Sequence, residues 1–108
     1  MKLRLDEIVN VYDGGQDLIE MEIPVDFAFK LATILQELQP KREIFVKAAR
    51  KIKRDEKGNF DHKAFEKLCS YEYEVPVEKL RKSEVMEAFE KVPTKVLLAL
   101  LPVIDGEL

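Results

Sequence analysis

Apolar residues recur at alternating steps of three and four from Phe27 through Leu31, Ile34 and Leu38 to Phe45, Ala48 and Ile52, with only Lys41 out of type. That spacing puts them on one face of an α-helix. Pro40 stands inside the row. Two independent helices meeting at a proline have no reason to keep a common phase. The pattern therefore predicts one helix from residue 24 to about 54, bent near Pro40, or two helices nearly in line. Proline lacks an amide hydrogen and crowds the carbonyl of Gln36, which costs roughly 3 kcal/mol in a helix interior. Pro24 and Asp26 suit the first turn, the proline by its fixed backbone and the carboxylate by accepting from free amides. Ala28, Leu35, Ile44 and Ala49 widen the apolar face. A helix this long in a small chain calls for a partner helix, with Leu31, Leu38, Phe45 and Ile52 as the candidate seam. Burial in the chain's own core is the competing reading of all four.

The flanking segments predict smaller elements. Lys2-Leu3-Arg4-Leu5 alternates and suits a short strand. Asp6 to Tyr12 fits a short helix or a strand equally well, and Asp13-Gly14-Gly15 reads as the turn that ends it. Leu18 to Ile23 reads as a strand, with Ile19, Met21 and Ile23 on one face and Glu20 and Glu22 on the other. A polar turn from Asp55 to Asn59 precedes a helix whose apolar face is Phe60, Ala64, Phe65 and Leu68, capped by Asn59 or Asp61. Tyr71 to Val75 is the clearest strand in the chain, with Tyr71, Tyr73 and Val75 on its apolar face. Pro24 and Pro76 each follow a predicted strand, which suits edge positions. Ser83 is expected to cap a short helix that turns Val85, Met86 and Phe89 inward. Pro93-Thr94 opens a last helix that Pro102 stops. The fold class expected is α+β, mainly helical: a long bent helix on shorter helices, with a small two- or three-stranded sheet built from the N-terminus and the Tyr71–Val75 strand.

Composition narrows this picture. The 108 residues suit a single domain spanning 1–108, and an apolar fraction of 46% is enough for a modest core. Cys69 is the only cysteine, so no internal disulfide is possible. The first six residues carry charges with no apolar run behind them, so no signal peptide is expected. Val96 to Ile104 is too short to span a bilayer and contains Pro102. The expectation is a soluble cytoplasmic protein that does not engage membranes. Charge is unevenly placed: residues 1–40 have three basic and eight acidic groups, 41–57 eight and three, and 58–108 seven and ten. A basic middle lies between acidic flanks.

Material for chemistry is sparse. His62 is the only histidine, two helical turns from Cys69, and no nucleophile motif or oxyanion-type glycine turn surrounds that cysteine or the serines. Cys69 reads as a small, partly buried apolar residue. Glu20/Glu22 and Glu72/Glu74 are same-face carboxylate pairs if their strands form, and the wet face of a sheet outweighs acid–base work for both. Asp55, Glu56, Asn59, Asp61 and His62 cluster around Gly58, but a calcium loop with that glycine sixth would place Lys53 first. No enzyme activity, cofactor, metal or small-molecule substrate is expected. Lys47, Arg50, Lys51 and Arg54 follow i, i+3, i+4 and i+7 and line one stripe. Such a stripe can bind phosphates, yet no aromatic residue is interleaved and the net charge is −3. A solvated or subunit-pairing face is the better reading and nucleic acid the lesser one. Val96 to Ile104 is apolar on nearly every side, which points slightly towards a partner and makes Leu97 and Leu101 candidate contact residues.

Lys2-Leu3-Arg4-Leu5, Phe29-Lys30-Leu31-Ala32, the turn Asp55-Glu56-Lys57-Gly58-Asn59, Phe65-Glu66-Lys67-Leu68, Tyr73-Glu74-Val75 and the apolar end from Pro93 to Ile104 occur in this order. The arrangement, spread over most of the chain, resembles the family of small uncharacterised proteins of tailed phages and prophages. The resemblance implies a viral origin and carries over no functional residue. With the heptad row, it sets the functional expectation: a non-enzymatic protein that acts by protein–protein contact, as an oligomer, in virion assembly or as a chaperone-like accessory factor. The alternative is a regulatory binder of a host protein or nucleic acid through residues 47–54.

Overall fold

The computed structural model describes residues 1–52, 58–88 and 93–105. Their order is β1 (Lys2–Arg4), α1 (Leu5–Ile19), α2 (Val25–Arg50), α3 (His62–Ser70), β2 (Glu72–Glu74), β3 (Leu80–Arg81), α4 (Lys82–Ala88), α5 (Thr94–Leu100), a 3-10 turn (Leu101–Val103) and β4 (Ile104–Asp105). The fold is α+β and mainly helical, with the long helix packed on shorter ones.

α1 is the hub. Leu5, Ile8, Val11 and Leu18 are buried along one side of it, and Gly14 and Gly15 are buried among them. α2 and α5 both pack on this helix. The two glycines set how closely they approach. A Cβ on Gly14 would stand 2.7 Å from the Ala99 Cβ of α5, and one on Gly15 would stand 2.5 Å from Leu35 Cδ2 of α2. The predicted turn at Asp13-Gly14-Gly15 is therefore corrected. The helix continues through it to Ile19 because the glycines serve packing, and their local propensity is overridden by burial of the surrounding face. The predicted strand at Leu18–Ile23 is corrected too. Leu18 and Ile19 end α1, and Ile19, Met21 and Ile23 rest half-buried against the core from a helix end and the bend after it. Pro24 follows no strand and sits at the N-cap of α2.

α2 is one helix of 26 residues, uninterrupted at Pro40, whose ring lies on the exposed side. At 1.5 Å per residue it is about 39 Å long. The molecule measures 51 × 26 × 23 Å, so α2 runs along the long axis. Its first half supplies Phe27, Leu31, Ile34, Leu35 and Leu38 to the core. Past Pro40 the same row is held by smaller contacts. Lys41, the one polar member, places its ammonium 4.3 Å from the centre of the Tyr73 ring. Arg42 donates from Nε to Asp13 Oδ1 of α1 at 2.8 Å and lies over Tyr12. Phe45 meets Phe65 of α3 edge-on at 6.0 Å, and Phe60 meets Phe65 at 5.6 Å. Asp61 caps α3 by accepting from the Ala64 N–H, one of the two caps expected.

β1 pairs antiparallel with β2, Leu3 opposite Tyr73. This is the sheet expected from the N-terminus and the Tyr71–Val75 segment; Val75 is buried, Tyr73 half-buried and Tyr71 half-exposed. A second pair was not foreseen: β3 runs parallel to β4, Leu80 opposite Ile104. α4 starts one residue before Ser83, which therefore lies in its first turn and not at a cap. Val85 is buried but Met86 is exposed, and Phe89 lies outside the described residues. Pro93 precedes α5 as expected, and Pro102 falls in the 3-10 turn that ends the helical run.

Alanine at Gly14 meets the fixed Cβ of Ala99, whereas alanine at Gly15 meets the movable end of Leu35. Gly14→Ala is expected to destabilise by about 1–3 kcal/mol, against the roughly 1 kcal/mol that alanine gains in an open helix. Gly15→Ala is expected to cost less. Urea midpoints of both variants check this, and a stabilised Gly14→Ala would show that α5 does not close on α1 as described.

Candidate interaction surfaces

Of the six candidate contact residues, Lys47, Arg50 and Lys51 are placed together, exposed on the last turns of α2. Arg54 lies outside the described residues. The three cations sit where the helix dipole is negative, which favours them. Leu97 is only 9% exposed and belongs to the core, whereas Leu101 in the 3-10 turn is 43% exposed. The apolar C-terminal segment is largely absorbed by the chain itself, because Val96, Leu97, Leu100, Val103 and Ile104 are all buried. Leu98 and Leu101 are the residues it leaves outside.

The residues considered for chemistry stand apart. His62 opens α3 and lies edge-on to Phe60, 5.4 Å between ring centres. Cys69 is seven residues on, about 10 Å along the axis, too far for a hydrogen bond. Cys69 is half-buried; burial pushes its thiol pKa up, and the carboxylate of Asp6 adds to that. Glu72 pairs with Lys2 at 2.9 Å, and both are exposed. That hydrogen bond holds the Lys2 ammonium pKa above its ordinary value, and Glu74 adds slightly. Glu72 and Glu74 thus form the wet side of the β1–β2 pair, while Glu20 and Glu22 lie on no strand. Asp55 and Glu56 fall outside the described residues. Among the described residues no three His, Cys, Asp or Glu side chains are grouped to hold a metal ion. No helix among them is long and apolar enough to cross a membrane.

One surface was missed from the sequence. Val25 and Phe29, one turn apart on α2, are 82% and 75% exposed. They line an open groove of about 510 Å³ whose edge includes Lys30 and Glu84. Lys30 Nζ donates to Glu84 Oε1 at 2.6 Å, joining α2 to α4. The other carboxylate oxygen of Glu84 is buried without a hydrogen-bond partner among the described residues. On its other side Phe29 borders a second groove of about 330 Å³, floored by Ile34 and Leu80 and edged by Lys79 and Arg81. The sequence did hold the clue. Phe29 stands two residues from Phe27, hence on the opposite side of the helix from the apolar row, where a large ring has no core to enter.

The chain matches no family model, no curated protein and no solved structure.

Two outcomes check these placements. Leu97→Ala is expected to cost about 2–5 kcal/mol in urea unfolding and Leu101→Ala under about 1 kcal/mol, since only the first empties a core position. Equal costs would place both on one surface. Cys69 holds less thiolate than a free cysteine at pH 8, so iodoacetamide should modify it several-fold more slowly in the folded chain than in urea. Equal rates would contradict the burial assigned to it.

Proposed function

We propose that this chain is a non-enzymatic protein that acts by protein–protein contact. The observation that carries the reading is the Val25–Phe29 face: two large apolar side chains, adjacent on one helix, turned to solvent beside a groove. Side chains of this kind cost solubility when bare, and a partner protein that covers them recovers the burial. The Lys30–Glu84 pair beside them gives the face a fixed polar edge that a partner's own polar groups can meet.

The setting proposed is that of tailed phages and prophages, as the resemblance implies. The role is assembly of the virion or protection of one of its structural proteins until assembly. A second reading makes the protein a regulatory binder of a host protein or nucleic acid through the basic stripe. The exposure of Lys47, Arg50 and Lys51 on one helix end supports it.

A photo-crosslinking residue at position 29 tests the main reading in the producing cell, with one at Asn10, exposed on α1, as the control. A protein adduct at position 29 and none at position 10 is expected. Adducts at neither position, or equally at both, would sink it.

A further inference from the structure

The long axis of the molecule separates charge. From Leu5 to Phe29 the sequence has seven acidic residues and no lysine or arginine. Asp17, Glu20 and Asp26 from this stretch are exposed at the corner where α1 ends and α2 begins. Lys47, Arg50 and Lys51 are exposed at the other end of α2, about 32 to 38 Å from Asp26 along the helix. Other charges are used internally: Asp13 with Arg42, Lys2 with Glu72, and Lys30, one turn from Asp26, with Glu84. Those six residues at the two ends form no ion pair among the described residues.

Helix dipoles account for only part of this. Asp26 and the three cations sit at the ends of α2 that favour them. Asp17 and Glu20 sit at the C-terminal end of α1, where an acid opposes the dipole and where that helix has no basic residue. The dipole of their own helix does not favour them, and a cation from outside the chain would. The stripe of cations has the complementary pattern.

We propose that the cationic end of α2 docks on the acidic α1–α2 corner of a second copy of this chain. The two surfaces are different patches of one molecule, so the contact is head-to-tail and leaves one free patch at each end of the dimer. Successive copies can add by the same contact, closing into a ring or running on as a chain according to the rotation between them. The inference rests on the reading of the protein as one that acts by contact. Its test uses the purified chain alone, so it can fail while the Phe29 face stands.

Light scattering on the full chain, over a concentration series at roughly 25 mM and 500 mM NaCl, is the measurement. Mass above the monomer that grows with concentration is expected at low salt, and monomer at high salt. Lys47→Glu/Arg50→Glu/Lys51→Glu and Asp17→Lys/Glu20→Lys/Asp26→Lys should each weaken association by about tenfold or more, and an equimolar mixture of the two should restore it. Circular dichroism confirms that each variant is folded. The neutral set Lys47→Gln/Arg50→Gln/Lys51→Gln, expected to weaken association to a lesser degree, replaces any that is not. A monomer at both salt concentrations would overturn the proposal. So would association that neither set of reversals disturbs, or folded variants whose mixture stays monomeric. A monomer that instead binds a double-stranded DNA oligonucleotide through the same three cations would overturn it in favour of nucleic acid.

Discussion

Close approach at two glycines governs this molecule. α1 lies between α2 and α5, and the side chain it does not have at Gly14 and Gly15 lets Ala99 and Leu35 come within van der Waals reach of its backbone. With those distances set, Leu5, Ile8, Val11 and Leu18 are buried along the helix that both neighbours cover. Each buried leucine or isoleucine adds about 1.5–3 kcal/mol of transfer free energy, so small changes in helix separation matter. The other elements follow from where α1 lies. β1 runs directly into it and brings β2 alongside, and the Leu5 N–H donates to the Tyr71 carbonyl at 2.7 Å where strand becomes helix.

α2 leads two lives along its length. Before Pro40 it is a core helix and after it an arm. The change is made with one continuous row of residues, whose neighbours thin from α1 and the core to α3 and a single tyrosine ring. The arm is fixed by contacts that keep their polar groups wet, a cation over Tyr73 and a guanidinium on Asp13. Such contacts hold direction at small energetic value. The result is a support that carries Lys47, Arg50 and Lys51 away from the core, while Val25 and Phe29 sit at the other end of the same helix, before Pro40.

The common phase of α2 on both sides of Pro40 was legible because phase is a long-range property that a local breaker does not erase, while the choice between one helix and two in line was not. The β1–β2 pairing, the Asp61 cap and the start of α5 at Pro93 were legible because short alternation and capping chemistry act over a few residues. The glycine pair was misread for the converse reason. Its purpose lies in Ala99 and Leu35, far away in the sequence, while its local preference is for a turn. Leu18–Ile23 alternates by coincidence, as a helix end followed by a bend can place three apolar residues against one core. Two-residue strands such as Leu80–Arg81 and Ile104–Asp105 have no periodicity to detect. Of the residues named from the sequence, the joint exposure of Lys47, Arg50 and Lys51 needed only helix geometry. Leu97 and Leu101 required knowing which sides of α5 and of the 3-10 turn after it meet the core, and Val25 and Phe29 required knowing that α2 keeps their side bare.

Gly14 and Ala99 touch across 85 positions of sequence. A ribosome releases α1 and α2 long before α5, so the nascent chain holds one face of its hub uncovered through most of synthesis. Closure waits for α5 to emerge, and nonlocal closure of this kind is slow relative to helix formation. Throughout that interval the side of α1 that meets α5 lacks its cover. A cell making this protein quickly would accumulate unfinished chains before finished ones, which makes translation speed, as much as the final contacts, a determinant of yield.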